Sequence, residues 1–109
     1  MVKKLYPPSV SHDENMVELF RAKPELAVEC LKVAVEEATD EEGRFVLLQA
    51  IRQIAEARGI GKVAKAAGIP RETLSRALSA KGNPRFDTLY AVTNAMGLQI
   101  TLQQTSVIH

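Results

Sequence analysis

Lys62-Val63-Ala64-Lys65-Ala66-Ala67-Gly68-Ile69-Pro70-Arg71-Glu72-Thr73-Leu74-Ser75-Arg76-Ala77-Leu78-Ser79 carries the most specific pattern in the chain. Val63 to Ala67 predicts a helix of about two turns, stopped by Gly68. Pro70 suits a helix start, and Arg71 to Ala80 then runs helically with Leu74, Ala77 and Leu78 inward. Ala64 lies four residues before Gly68, Leu74 six after it, and Leu78 four further on. A small Ala64 lets two helices approach closely, and the two leucines hold the second helix to a core. Two short helices around a glycine turn, the second opening with basic and small polar residues, describe a helix-turn-helix over about residues 61–80.

That geometry leaves Arg71, Glu72, Thr73, Ser75, Arg76 and Ser79 to face outward. In this motif the N-terminal part of the second helix enters the DNA major groove. Arg71 and Arg76 are then placed to read guanine edges or hold phosphates, and Thr73 and Ser75 to contact bases or backbone. Arg58, Lys62, Lys65, Lys81 and Arg85 flank the motif, so residues 58–85 hold seven Lys/Arg and one acid, Glu72. Such a set suits clamping of phosphates. Spacing alone leaves a competing account open: amphipathic helix pairs with glycine turns are common in all-α cores, and a basic run is often only a solvated face. The coincidence of spacing with local charge favours DNA.

Outward from the motif, charge divides the chain. Its 109 residues carry a formal net charge of only +1, yet residues 1–43 hold 5 Lys/Arg against 10 Asp/Glu, while residues 44–109 hold 9 against 3. A split of this kind hints at a nucleic-acid-facing part joined to something else. The length fits one domain with one core. A lone cysteine, Cys30, excludes an intrachain disulfide and a Cys-based zinc site. His12 and His109 stand far apart, so no metal site is expected. No apolar run approaches the ~18–20 residues of a membrane span, and nothing resembles a secretion signal, so the expectation is a cytoplasmic chain without membrane contact.

Residues 1–10, with Pro7-Pro8, are expected as an extended arm. Residues 11–43 are expected as a helical extension. Ser11 and Glu14 fit a capping box before a short helix burying Met16, Leu19 and Phe20. Pro24 opens a second helix, on which Leu26, Cys30, Ala34 and Ala38 form one face with Leu31 and Val35 beside it. Thr39-Asp40-Glu41-Glu42 is a further capping signal, with Gly43 a weak point. The helix that follows carries Phe45, Leu47, Leu48, Ile51, Ile54 and Ala55, an arc broad enough for burial on more than one side. It ends at Arg58-Gly59, where the glycine can adopt a left-handed conformation.

Beyond the motif, Gly82-Asn83-Pro84 is a loop, and Phe86, Leu89, Val92 and Met96 mark a helix closed by Gly97. Leu98, Ile100 and Leu102 alternate with Gln99, Thr101 and Gln103, the pattern of a half-buried strand. A lone strand needs a partner, and a second copy of the chain is the simplest. The expected dimer contact is therefore Leu98, Ile100 and Leu102, aided by Tyr90 or Met96. The expected fold is all-α, with five or six helices and this short C-terminal strand. A helix-turn-helix domain spans residues 44–103, and residues 104–109 form a tail.

At this density of motif the sequence resembles a family. Ala57-Arg58-Gly59, Lys62 to Ile69, Arg71 to Ser79, Gly82-Asn83-Pro84, Thr88-Leu89 and Gly97-Leu98 are similar to the addiction-module antidote proteins. These are HigA-like antitoxins within the Cro/lambda-repressor-type helix-turn-helix superfamily. The resemblance is dense from about residue 44 to 103 and looser over 11–43. It implies a lambda-repressor-like domain that neutralises a RelE/HigB-like ribonuclease toxin and represses its own operon as a dimer. Arg71, Thr73, Ser75 and Arg76 match recognition-helix positions, and Asn83 matches a loop residue that approaches phosphate. The chain departs from the pattern in three places. Gly61 stands where a capping serine is usual, so the first helix of the motif is expected to fray at its start. Met96 replaces a leucine, and Ser75 replaces a frequent aromatic residue, which bears on the DNA sequence read.

Cys30 reads as a small hydrophobe rather than a reactive thiol. His12 beside Asp13 reads as helix-end packing or plain exposure, since no nucleophile clusters with them. Phe86 and Tyr90 read as core or interface. The acids Glu25, Glu29, Glu36, Glu37, Asp40, Glu41 and Glu42 read as a soluble helix surface, or alternatively as a contact for a basic toxin. The leading function is operator DNA binding in a toxin–antitoxin setting, without a cofactor and without enzymatic activity. The alternatives are a stand-alone repressor with no toxin and an interaction module that no longer binds DNA.

Overall fold

Six α-helices, and no strand, occur among the residues described by the computed structural model, 12–79 and 81–104. They are α1 (His12–Ala22), α2 (Pro24–Glu36), α3 (Glu41–Arg58), α4 (Ile60–Ala67), α5 (Arg71–Ala77) and α6 (Phe86–Ala95). The arm expected over residues 1–10, Ser11 of the capping box, Ala80 and residues 105–109 lie outside the described set.

α3 organises the molecule. α1, α2 and α4 all pack on it, α4 in turn carries α5 and α6, and α1 touches α2. This accounts for the broad apolar arc of α3, whose Ile51, Ile54 and Ala55 are buried. One core cluster runs through the chain, from Phe20, Ala27 and Leu31 through Ile54 and Ala64 to Leu74, Leu78, Val92 and Met96. The boundary expected near residues 43 and 44 falls inside the first turn of α3.

The two N-terminal helices bury part of the expected set, Phe20 and Ala34, and otherwise differ from it. α1 buries Val17 and Phe20, with Met16 and Leu19 only half-buried. α2 starts with Pro24 in its first turn, as its missing N–H allows, but it buries Ala27, Leu31 and Ala34. Leu26 and Val35 are exposed and Cys30 is half-buried at the edge of the core. Ala34 is buried as expected, and the face is shifted toward Leu31 and Ala27, whose small side chain permits close packing.

The α2–α3 turn explains Gly43. Asp40 caps α3, its side chain accepting a hydrogen bond from the Gly43 N–H at 2.7 Å. A Cβ on Gly43 would run into the Glu37 carbonyl oxygen and lie 3.0 Å from the Ala38 Cα. The residue expected to weaken the helix is thus what lets α3 start so close to the end of α2.

α1 is fastened to α3 by a polar network. The Arg52 guanidinium donates to both carboxylate oxygens of Asp13, at 2.5 and 3.2 Å, and also to Glu56 at 3.1 Å. Gln53 donates to Asp13 at 2.9 Å. The Arg52 hydrogen bonds hold the Asp13 carboxyl below its ordinary range, against the opposing effect of partial burial and with help from Gln53. The same bond to Asp13 raises Arg52 further above its ordinary value. Asp13 therefore serves as an anchor between helices 39 residues apart in sequence.

Two glycines close helices in the same way. Gly68 is left-handed, at φ 73° and ψ 30°. The Gly68 N–H reaches the Lys65 carbonyl at 3.1 Å and the Ile69 N–H reaches that of Ala64 at 2.9 Å. Gly97, at φ 78°, repeats the pattern: its N–H reaches Asn94 at 3.0 Å and the Leu98 N–H reaches Thr93 at 2.9 Å. In this Schellman arrangement the residue after the glycine folds its side chain back on the helix, and both Ile69 and Leu98 pack against the core.

This closure corrects the C-terminal strand. Leu98 spends its N–H and its side chain on ending α6, and residues 98–104 form no strand. Ile100 is 40% and Leu102 98% exposed. Alternation of apolar and polar residues cannot make a strand without a neighbouring ladder to satisfy its backbone groups.

Candidate nucleic-acid interface

α4 and α5 are two short helices joined by a turn at Gly68. α4 begins directly after Gly59, whose φ of 99° and ψ of 102° turn the chain within one residue, outside the left-handed helical well. Gly61 lies in the first turn of α4 and does not break it. Gly68 then makes the turn, and Pro70, at φ −58° and ψ 142°, leads into α5. Ala64 is 2% exposed, and Leu74 and Leu78 are 0% and 1% exposed. Burying each leucine contributes about 1.5–3 kcal/mol, which matters for a helix of seven residues, far too short to persist alone. Ala77 is only half-buried, and α5 ends there rather than at Ala80.

With that side pinned, the other side of α5 is open. Arg71, Glu72, Thr73, Ser75 and Arg76 are all exposed. Ser79 is half-buried, its hydroxyl donating to the Arg76 carbonyl at 2.8 Å. Lys62 and Lys65 on α4 are exposed, as are Lys81, Asn83 and Arg85 after α5. Among the described residues, Lys62, Lys65, Arg71, Arg76 and Lys81 enter no ion pair, and Arg85 meets Asp87 only loosely at 3.8 Å with both side chains largely in solvent. A loose exposed pair of this kind contributes little. Cations without internal partners, carried on a short rigid helix and its flanks, are chemically suited to phosphate oxygens and guanine edges.

The loop after α5 is fixed by packing. A Cβ on Gly82 would collide with the Ala77 carbonyl, so only glycine lets the chain fold back over the end of α5. This sets the path of Lys81, Asn83 and Arg85 relative to Arg76.

Arg58 is exposed but, unlike the cations above, is engaged internally. Its guanidinium donates to the Met96 carbonyl at 2.6 Å, at the C-terminal end of α6. A cation there favours the negative end of the helix dipole, so Arg58 ties α3 to α6. A cleft of about 290 Å³ beside it, floored by Phe20, Ala27, Ile54 and Ala57, has Arg21 on its wall, and Arg21 in turn pairs with Glu18.

The expected dimer residues separate. Met96 is 2% exposed and belongs to the core, and Leu98 packs against the core cluster. Tyr90, Ile100 and Leu102 are exposed, and Phe86, at 67% exposure, stacks obliquely on Tyr90 with ring centroids 6.1 Å apart. Among the described residues, no group of three or more His, Cys, Asp or Glu is arranged to hold a metal ion. No helix there is long and apolar enough to cross a membrane.

The sequence that builds these six described helices is similar to known proteins. A family model described as "Probable addiction module antidote protein" matches residues 14–104, nearly all of the described helical body, and the chain belongs to that family. Membership implies a cognate toxin as partner. An uncharacterized protein of Haemophilus influenzae (strain Rd) is 39% identical over 75 residues, which cover 69% of this chain and 77% of that relative. No solved structure matches.

Proposed function

We propose that this chain is the antitoxin of a type II toxin–antitoxin module, and that it binds operator DNA through a lambda-repressor-type helix-turn-helix formed by α4 and α5. On this reading it neutralises a RelE/HigB-like toxin and represses its own operon as a dimer. The observation that carries the DNA reading is α5 itself: Leu74 and Leu78 are sealed in the core while Arg71, Thr73, Ser75 and Arg76 stand exposed on the remaining surface. Arg71 and Arg76 supply bidentate donors for guanine, and Thr73 and Ser75 supply hydroxyls for bases or backbone. Lys62, Lys65, Lys81, Asn83 and Arg85 hold phosphates on either side and fix the register.

The antitoxin reading is supported by the family to which the chain belongs. The dimer is supported by the apolar side chains left in solvent at the C-terminal end, Phe86, Tyr90, Ile100 and Leu102, since exposed apolar clusters mark contact surfaces. The activity is binding, and no reaction is assigned to the chain. Two measurements test the proposal together. Expression of the neighbouring gene's product alone should arrest growth and co-expression of this chain should relieve it. The purified chain should also shift the DNA upstream of its own gene. Relief without a shift would leave an antitoxin that is no repressor, and a shift without relief would leave a repressor with no toxin.

A further inference from the structure

The α2–α3 corner carries a surface that the DNA reading does not use. Val33 and Val35, in the last turn of α2, are 50% and 56% exposed. Val46, early in α3, is 47% exposed, while its neighbour Phe45 lines a cleft with Leu48, Arg52, Leu78 and Ser79 on the side of α5. The two helix ends abut, because the backbone of Gly43 lies against Glu37 and Ala38. The same segment carries the exposed acids Glu36, Glu37, Asp40, Glu41 and Glu42, with Arg44 as the one exposed cation of residues 33–46. Exposed apolar side chains interspersed with charge of one sign are the composition of a protein contact.

We propose that this corner is the docking surface for the toxin of the module, and that the toxin meets it with an apolar patch ringed by Lys and Arg. The proposal rests on the antitoxin reading above and deepens it. The charge argument selects the occupant. Residues 1–43 carry a net −5, which repels nucleic acid and attracts a basic protein. Complementary charge speeds encounter and excludes wrong partners, while the apolar centre supplies affinity. A second copy of this chain would set acid against acid here. The acidic corner and the basic α5 surface thus divide two partners between two regions of one small chain.

The test uses the full chain and, as probe, the purified product of the neighbouring gene. Val35→Arg with Val46→Arg alters only exposed positions. It should weaken toxin binding by roughly thirtyfold or more, while thermal stability and binding to the upstream DNA stay as in the parent. Glu36→Lys with Glu37→Lys, a second variant that leaves the apolar groups intact, should slow association and flatten its salt dependence. On the unaltered chain, amide exchange over residues 33–46 should slow when the probe is added. Unchanged affinity in both variants, or protection confined to other segments, overturns the proposal. So does a variant that instead changes the chain's own oligomeric state, which would assign the corner to a second copy. Should the unaltered chain fail to bind the probe at all, it is the antitoxin reading that falls.

Discussion

Replacing Asp13 with Ala should cost about 2 kcal/mol at neutral pH. Asp13 accepts two hydrogen bonds from Arg52 and one from Gln53, and bonds to a charged group contribute ~1.5–3 kcal/mol when sheltered. The Asp13 side chain keeps 34% and Arg52 23% of their exposure, so solvent screening reduces that figure to about 1–2 kcal/mol. Asp13 also lies in the first turn of α1, where a negative charge adds roughly 0.3–1 kcal/mol. For a chain of this size the loss corresponds to a fall in Tm of roughly 10 °C.

The pH dependence discriminates this account from a simple loss of helix propensity. The native Asp13 carboxyl is held below its ordinary value of 3.8, so the unfolded state binds the proton more readily. Its contribution is full above the ordinary carboxylate range and is lost as pH falls through the lower native value. Urea unfolding of the parent and Asp13→Ala should therefore differ at pH 7 and converge as the pH is taken well below 4. A difference of the same size at both ends of that range would refute the network as its source.

Other outcomes follow from particular contacts. Gly43→Ala should destabilise the chain by more than about 1 kcal/mol in urea unfolding, although alanine favours a helix by about that amount, because its Cβ would meet the Glu37 carbonyl. Lys65→Ala should weaken DNA binding evenly across sequences and reduce the salt slope by about 1. Arg58→Ala should instead lower stability by about 1 kcal/mol through loss of its bond to Met96, with little change in DNA affinity. Deleting residues 99–109, which leaves the Leu98 closure of α6 in place, should yield monomers by sedimentation if Ile100 and Leu102 hold the dimer.

Local signals were legible in the sequence and distant ones were not. Pro24, the Asp40 cap and the glycines at 68 and 97 each act within one turn of chain, and each stands where its local chemistry requires. The spacing of Ala64, Leu74 and Leu78 likewise survives as burial. On α2, Leu26–Cys30 and Ala27–Leu31–Ala34 are overlapping apolar arcs, and only packing against α1 and α3 decides between them. Asp13 with Arg52, and Arg58 with Met96, are separated by nearly 40 residues, so neither pairing leaves a periodic trace. The alternation over residues 98–103 misled because the same Leu98 serves equally well to close a helix. Of the candidate interface, the identity of the exposed cations was legible, while the engagement of Arg58 and the burial of Met96 required the fold.

On the proposed function, α5 reads DNA through Arg71 and Arg76. Salt-titrated binding of Arg71→Ala and Arg76→Ala to the upstream operator, and to operators altered one base pair at a time, tests it most directly. Each substitution is predicted to lower operator affinity by about 1–3 kcal/mol and to relax preference at one base pair while the fold is retained. If both variants bind the operator and its altered forms as the parent does, α5 is not the recognition helix.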